Sequence, residues 1–145
     1  GARDAGPVDP CDLCLDVTVE RRFMSGDGLR SSRRELSPCR NYTEMEMTRD
    51  GPGRRRGCSG TLSCTDPEGG IEALLEALAD PDVQEALAAG DAAYGAPTGD
   101  TFELEIDGVT LTLGPSCRDP GCTPIPEGVD ALNRLLSGLA IEDCM

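Results

Sequence analysis

The sequence predicts an α+β fold: a twisted sheet made of an antiparallel β-meander and a later β-hairpin, with two main helices packed on one face and disulfides holding the whole. Three observations carry this. Apolar and polar residues alternate with a period of two in residues 15 to 24 and again in 101 to 113, leucines recur at helical spacing in 71 to 78 and 129 to 139, and eight cysteines fall within 145 residues. That length suits one domain, read as residues 11 to 145 behind a flexible leader at 1 to 10, where Gly, Ala, Pro and charge occur without periodicity.

The first strand starts near Leu15, with Leu15, Val17, Val19 and Phe23 alternating with Asp16, Thr18, Glu20 and Met24, and Ser25-Gly26-Asp27-Gly28 supplies a turn. A returning strand from Leu29 to about Leu36 stops at Ser37-Pro38, because proline cannot donate to a ladder. Tyr42 to Thr48 forms the third strand. After the turn Asp50-Gly51-Pro52-Gly53, the fourth runs from about Arg55 to Ser63. Residues facing each other across an antiparallel hairpin have numbers with a constant sum. Centring the two turns between Gly26 and Asp27 and between Gly51 and Pro52 places Cys14 opposite Cys39, and Cys39 opposite Cys64. One of those two pairings is the expected disulfide, since directly opposed strand residues lie within the bridgeable ~7 Å. Cys117 and Cys122 form a candidate small-loop bridge, and the connectivity of Cys11, Cys58 and Cys144 stays open.

From Thr65 the pattern changes. Thr65-Asp66-Pro67-Glu68 has the form of a capping box, and Ile71, Leu74, Leu75 and Leu78 mark one helical face behind it. Asp80-Pro81-Asp82 interrupts that helix and starts a short second one, with Val83 and Leu87 inward, which ends at Gly90 before a loop through Gly99. Around Asp107-Gly108 a two-residue turn pairs Phe102 with Leu113, Leu104 with Leu111 and Ile106 with Val109. The apolar face of this hairpin needs a cover. The last helix provides it, with Val129, Leu132, Leu135, Leu136 and Leu139 at helical spacing.

Composition narrows the chemistry. The chain has no His and no Trp, and all 13 of its basic residues are Arg, which excludes a His-based triad, His-ligated zinc and a Lys Schiff base. Neither catalysis nor a cofactor is expected. Eight cysteines, an even number, fit disulfides in an oxidising compartment, so the chain reads as secreted, periplasmic or bound to the cell envelope. It holds no apolar run of membrane-spanning length, and a lipid anchor upstream is compatible with this reading. The Gly, Ala and Arg bias without Lys points to a GC-rich bacterial host. The sequon Asn41-Tyr42-Thr43 has meaning only in a eukaryote.

Charge is uneven. Residues 1 to 64 carry 11 Arg against 10 acids, whereas residues 65 to 145 carry 2 Arg against 17, giving the chain its net charge of −14. The acidic half reads as a solvated, solubilising face. Arg21, Arg22, Arg33, Arg34 and Arg54 to Arg56 are expected to form one local positive patch. Nucleic acid is a poor partner for it, given the acidic half and few aromatics for base stacking. The hairpin tip Arg49, Pro52, Arg54, Arg55 and Arg56 is the leading contact candidate, because a constrained tip of planar guanidiniums suits an acidic cleft. The acidic loop from Asp91 to Asp100, anchored by Tyr94, is the second. Glu103 and Glu105 share a strand face and read as solvent-facing acids, and Asp80, Asp82, Asp91, Asp100 and Asp107 match no EF-hand loop.

The order of elements resembles that of small secreted bacterial proteins similar to emfourin, an inhibitor of thermolysin-like metalloproteases. The resembling features are the strand and Gly-containing turn from Val17 to Gly28, the Gly-Thr-Leu-Ser lead into a Leu-rich helix from Gly60 to Leu78, the Asp-Gly hairpin from Phe102 to Leu113, and the terminal Leu-rich helix. The eight cysteines depart from that pattern, and no inhibitory residue is carried over. The resemblance implies an inhibitor. The sequence as a whole reads as an exported, monomeric, non-catalytic module that binds another protein, with a cell-envelope structural or adhesion protein as the alternative.

Overall fold

A computed structural model of the chain describes residues 9–48, 55–96, 98–117 and 120–142. The meander consists of β1 (Val19–Met24), β2 (Arg30–Leu36), β3 (Asn41–Thr48) and β4 (Arg55–Leu62). Helices α1 (Ile71–Leu78) and α2 (Pro81–Ala89) follow, then β5 (Ala92–Tyr94), the hairpin β6 (Thr101–Ile106) and β7 (Val109–Leu113), α3 (Glu127–Ser137) and β8 (Ile141–Glu142). A short 3-10 turn at Pro10–Asp12, capped by the Asp9 carboxylate, precedes them. All eight strands form one mixed sheet in the order β5-β7-β6-β1-β2-β3-β4-β8, antiparallel except for β5 against β7. The fold is therefore α+β, as the sequence predicts.

One face of the sheet is covered. Val19, Leu36, Tyr42, Leu62, Leu104, Ile106, Leu111 and Leu113 from the strands pack with Ile71, Leu74, Val83, Val129, Leu132 and Leu136 from the helices in one buried cluster. Each fully buried aliphatic side chain contributes roughly 1.5–3 kcal/mol, so this layer is the main source of stability.

The later hairpin has the predicted register, with Phe102 opposite Leu113 and Ile106 opposite Val109, and its turn uses Asp107 and Gly108, both at positive φ. The first hairpin differs. Its loop spans Ser25 to Leu29, because the Asp27 carboxylate accepts from Ser25 Oγ and from the Leu29 N–H, and Ser25 N–H donates to the Arg30 carbonyl. The pairing moves by two residues, to Val19 opposite Leu36, which preserves the faces. Between β3 and β4 the register differs by one, with Tyr42 opposite Gly60, and Cys39 does not face Cys64.

Two helix boundaries also differ from expectation. Thr65-Asp66-Pro67-Glu68 is not a capping box. Ser63 Oγ accepts from the N–H groups of Thr65 and Asp66, and Asp66 Oδ1 accepts from those of Glu68 and Gly69, so these residues close a turn that delays α1 to Ile71. The last helix ends at Ser137, which leaves Leu139 beyond it. Two edge strands fall where no strand is expected. β5 lies beside β7 because Asp91 Oδ1 accepts from Thr110 N–H at 2.8 Å, and β8 pairs Ile141 with Leu62 after Ser63 N–H donates to the Ala140 carbonyl.

Disulfides join Cys11 to Cys64, Cys14 to Cys39 and Cys117 to Cys122. The second is one of the two expected alternatives, and the third is the expected small-loop bridge. Cys58 is likewise disulfide-bonded, and Cys144 lies outside the described residues.

Candidate binding surface

The meander changes character along its length. Its buried residues, Val19, Leu36, Tyr42 and Leu62, lie at the end where Cys11–Cys64 and Cys14–Cys39 clamp the chain. Residues 30 to 35 of β2 and 43 to 46 of β3 are partly buried or exposed, none fully buried, and β1 runs from buried Val19 to exposed Met24. The strands are thus most deeply buried at one end and more open at the other.

The expected contact residues do not form one site. Arg49, Pro52 and Arg54 lie outside the described residues. Arg55 and Arg56 open β4, opposite Met47 and Glu46. Tyr94 sits on β5 at the opposite edge of the sheet, paired with Leu113. Five strands intervene between β5 and β4, which at the usual strand spacing separates them by roughly 29 Å. The expected single arginine patch is likewise divided, because successive strand residues point to opposite faces. Arg21 and Arg34 face the helices, and Arg22 and Arg33 face away from them.

On the covered face Arg21 is buried, its Nε donating to Asn133 Oδ1 at 2.8 Å and its guanidinium lying 4.3 Å from the centre of the Phe102 ring. Burial and the nearby charge of Arg34 lower its pKa to about 10. Arg34 Nη1 donates to the carbonyls of Leu136 and Ser137, closing the C-terminal end of α3 where carbonyls lack helical partners. The Tyr42 hydroxyl donates to Glu44 Oε2 at 2.9 Å, and burial together with that carboxylate pushes its pKa well above the usual phenol value.

The uncovered face is ordered in rows across the sheet. One row runs Glu105, Glu20, Glu35, Thr43, Ser59; the next Glu103, Arg22, Arg33, Met45, Gly57; the third Thr101, Met24, Ser31. The face therefore grades from carboxylates, through paired charges, to methionine and neutral hydroxyls. Arg22 and Arg33 are direct cross-strand neighbours, a repulsive arrangement by itself. Glu20 offsets it by holding both, Arg33 through two bonds of 2.9 and 3.2 Å and Arg22 at 3.5 Å, while Glu35, Glu103 and Glu105 complete the network. The bond to Glu20 raises the pKa of Arg33 above its already high ordinary value. Glu103 and Glu105, expected as plain solvated acids, are thus ion-paired to Arg22.

Beside this network Arg22, Met24, Ser31, Arg33, Met45, Thr101 and Glu103 line an open groove of about 550 Å³. At the other end of the face Asp16, Glu20, Glu105 and Asp107 line a depression of about 480 Å³. Four of the five aspartates that match no EF-hand loop have partners within the fold. Asp80 caps α2, Asp82 accepts from Gly128 N–H, Asp91 from Thr110 N–H and Asp100 from Gly26 N–H. Among the described residues no group of three or more His, Cys, Asp or Glu is placed to hold a metal, and no helix is long and apolar enough to cross a membrane. The groove is absent from the sequence-based candidates, although the alternation Glu20-Arg21-Arg22-Phe23-Met24 contains the signal that Arg22 and Met24 share a face. Comparison with protein-family models, curated proteins and solved structures finds no match.

Proposed function

We propose that this chain is an exported protein-binding module that acts by surface contact rather than catalysis, and that its target is a secreted protease which it inhibits. The observation that supports this most is the asymmetry of the meander: strands clamped by two disulfides and a buried core at one end extend a broad, uncovered ribbon at the other. Strands held by a disulfide-clamped base present their uncovered face at low ordering cost, which favours association. The disulfides are compatible with an extracellular or otherwise oxidising compartment, where secreted proteases also work.

The test is a 1:1 titration of the oxidised protein against a panel of secreted metallo- and serine proteases, with an Arg54, Arg55 and Arg56 triple-Ala variant alongside. Stoichiometric inhibition by an intact protein, lost in the variant, is the expected result. If nothing in the panel is inhibited, the inhibitor reading fails and a cell-envelope binding role takes its place.

A further inference from the structure

We infer that Cys14–Cys39 is a redox-active bridge: a dithiol opens it, and the freed Cys14 then displaces Cys64 from Cys11, so that one reductant releases both covalent ties between the N-terminal segment and the meander. This goes beyond the binding role and does not depend on it.

Three observations converge on this corner of the fold. The first is access. Cys14 and Cys39 are both exposed, as is Cys11, whereas Cys64 packs partly buried against the core. A dithiol therefore meets Cys14–Cys39 without any opening of the apolar layer, and exposed bridges are the ones that exchange readily.

The second is the backbone at Cys39. Two residues other than glycine have positive φ among the described residues, and one of them, Asp107, belongs to the Asp-Gly turn of the later hairpin. The other is Cys39, at a φ of 69°, in the link between β2 and β3. Glycine or asparagine is the usual choice for that conformation, so a cysteine there supplies its sulfur at a steric cost, as residues at switch sites do. Its backbone is held by a reciprocal pair of bonds, from Leu15 N–H to the Cys39 carbonyl at 3.1 Å and from Cys39 N–H to the Leu15 carbonyl at 3.0 Å. These bonds do not involve the sulfurs, and Leu15 is anchored in the core. Cys14 and Cys39 thus stay neighbours when reduced, and the bridge can form again.

The third is a second disulfide within reach. Cys11-Asp12-Leu13-Cys14 has the Cys-x-x-Cys spacing of redox-active pairs, and the 3-10 turn closed by Leu13 N–H on the Pro10 carbonyl shortens the chain between its two cysteines. Cys11–Cys64 lies in the same corner, because Arg40, next to Cys39, donates from Nη1 to the Leu62 carbonyl at 3.0 Å and accepts from Leu62 N–H at 2.8 Å.

The chemistry balances in two steps. A thiolate of the dithiol attacks Cys14–Cys39 and its second thiol resolves the mixed disulfide, so that an electron pair and the thiol protons pass to Cys14 and Cys39 while the reductant leaves as its own disulfide. The Cys14 thiolate then attacks Cys11 Sγ. The Cys11–Cys64 bond breaks, Cys11–Cys14 forms, and Cys64 leaves as a thiolate that takes up the proton Cys14 gave up. This second step has no net redox change. Cys117–Cys122, between β7 and α3, takes no part.

The test exposes the full oxidised chain to limiting dithiothreitol, quenches with acid, labels with N-ethylmaleimide and maps peptides by mass spectrometry without further reduction. Equal label at Cys39 and Cys64 is expected, with an unlabelled peptide spanning Cys11 and Cys14 that is linked to no other, Cys117–Cys122 intact and circular dichroism unchanged. Label confined to Cys14 and Cys39 would overturn the exchange step. First label at Cys117 and Cys122, or loss of the dichroism signal as label appears, would overturn the site. The double variant Cys14→Ser, Cys39→Ser lacks the attacking thiol and is expected to leave Cys64 unlabelled at the same dithiothreitol. Label at Cys64 equal to the parent's would show that Cys11–Cys64 opens by itself, and the relay would fall.

Discussion

Tyr42, Glu44, Arg34 and Arg21 sit beneath α3 as one polar cluster in an otherwise aliphatic layer, and their protonation gives the fold an alkaline signature. Burial, then the Glu44 carboxylate, disfavour the Tyr42 phenolate, so the folded chain holds that proton more tightly than the unfolded chain. Its stabilising contribution is complete below the unfolded value of about 10 and is lost as pH rises beyond it. Arg21 has the opposite sign. Its pKa falls to about 10 on folding, so the cost of burying its charge is present below that pH and is relieved as pH rises toward the ordinary guanidinium range. The two slopes oppose each other above pH 10. Tyr42→Phe removes only the falling one, so relative to the parent the variant should gain stability as pH is stepped upward from 10, measured by urea denaturation at each pH. Parallel stability curves would mean that the phenol does not titrate differently in the folded chain.

Helix packing depends on close approach at the N-termini of α2 and α3, where Gly128 N–H donates to Asp82 Oδ2 at 2.8 Å. A Cβ on Gly128 would collide with the Asp80 carboxylate that caps α2 and would come within 2.9 Å of Asp82 Cβ. Gly128→Ala should therefore destabilise the chain by about 1–3 kcal/mol despite the better helix propensity of alanine, and a denaturation midpoint equal to the parent's would show that α3 can shift freely. Elements of this kind were legible in the sequence wherever a local rule decides them. Asp107-Gly108 sets the register of β6 on β7, and Asp80-Pro81 starts α2. They were not legible where a distant partner decides. β5 and β8 have three and two residues, too few for any period, and are placed by Thr110 and by Leu62. The first register moved because the Asp27 carboxylate lengthens a loop that counts as a tight turn by composition. For the binding surface, the arginine pairs were visible as charge, but only strand alternation in the true register separates Arg21 and Arg34, which serve the core, from Arg22 and Arg33, which face outward.

Among the described residues, the buried core of the meander and the Cys11–Cys64 and Cys14–Cys39 bridges lie at one end, with Cys58 cross-linked further along β4. Cys11–Cys64 closes a sequence separation of 53 residues and Cys117–Cys122 one of 5. Loop-closure entropy makes removal of the first pair, by replacement with Ser, more costly than removal of the second by about 2 kcal/mol, to be compared in urea. The same asymmetry governs local opening. Free energies of opening follow the density of buried apolar contacts, and among the described residues the fully buried apolar side chains of the meander strands are Val19, Leu36, Tyr42 and Leu62, at the end beside the Cys11–Cys64 and Cys14–Cys39 bridges. Ladder position alone would protect Ser32 and Met45 as well as it protects Leu36 and Tyr42, since each pair lies in the same two strands. Packing predicts a gradient instead, with amide hydrogen exchange at Ser31 to Arg33 and at Met45 preceding that at Leu36, Tyr42 and Leu62. The less buried end would then open without loss of the core, as a contact surface that adjusts to a partner requires. Level protection along all four strands would mean that the meander opens only as one unit with the core, and the picture of a clamped base with an independently adjustable arm would have to be abandoned.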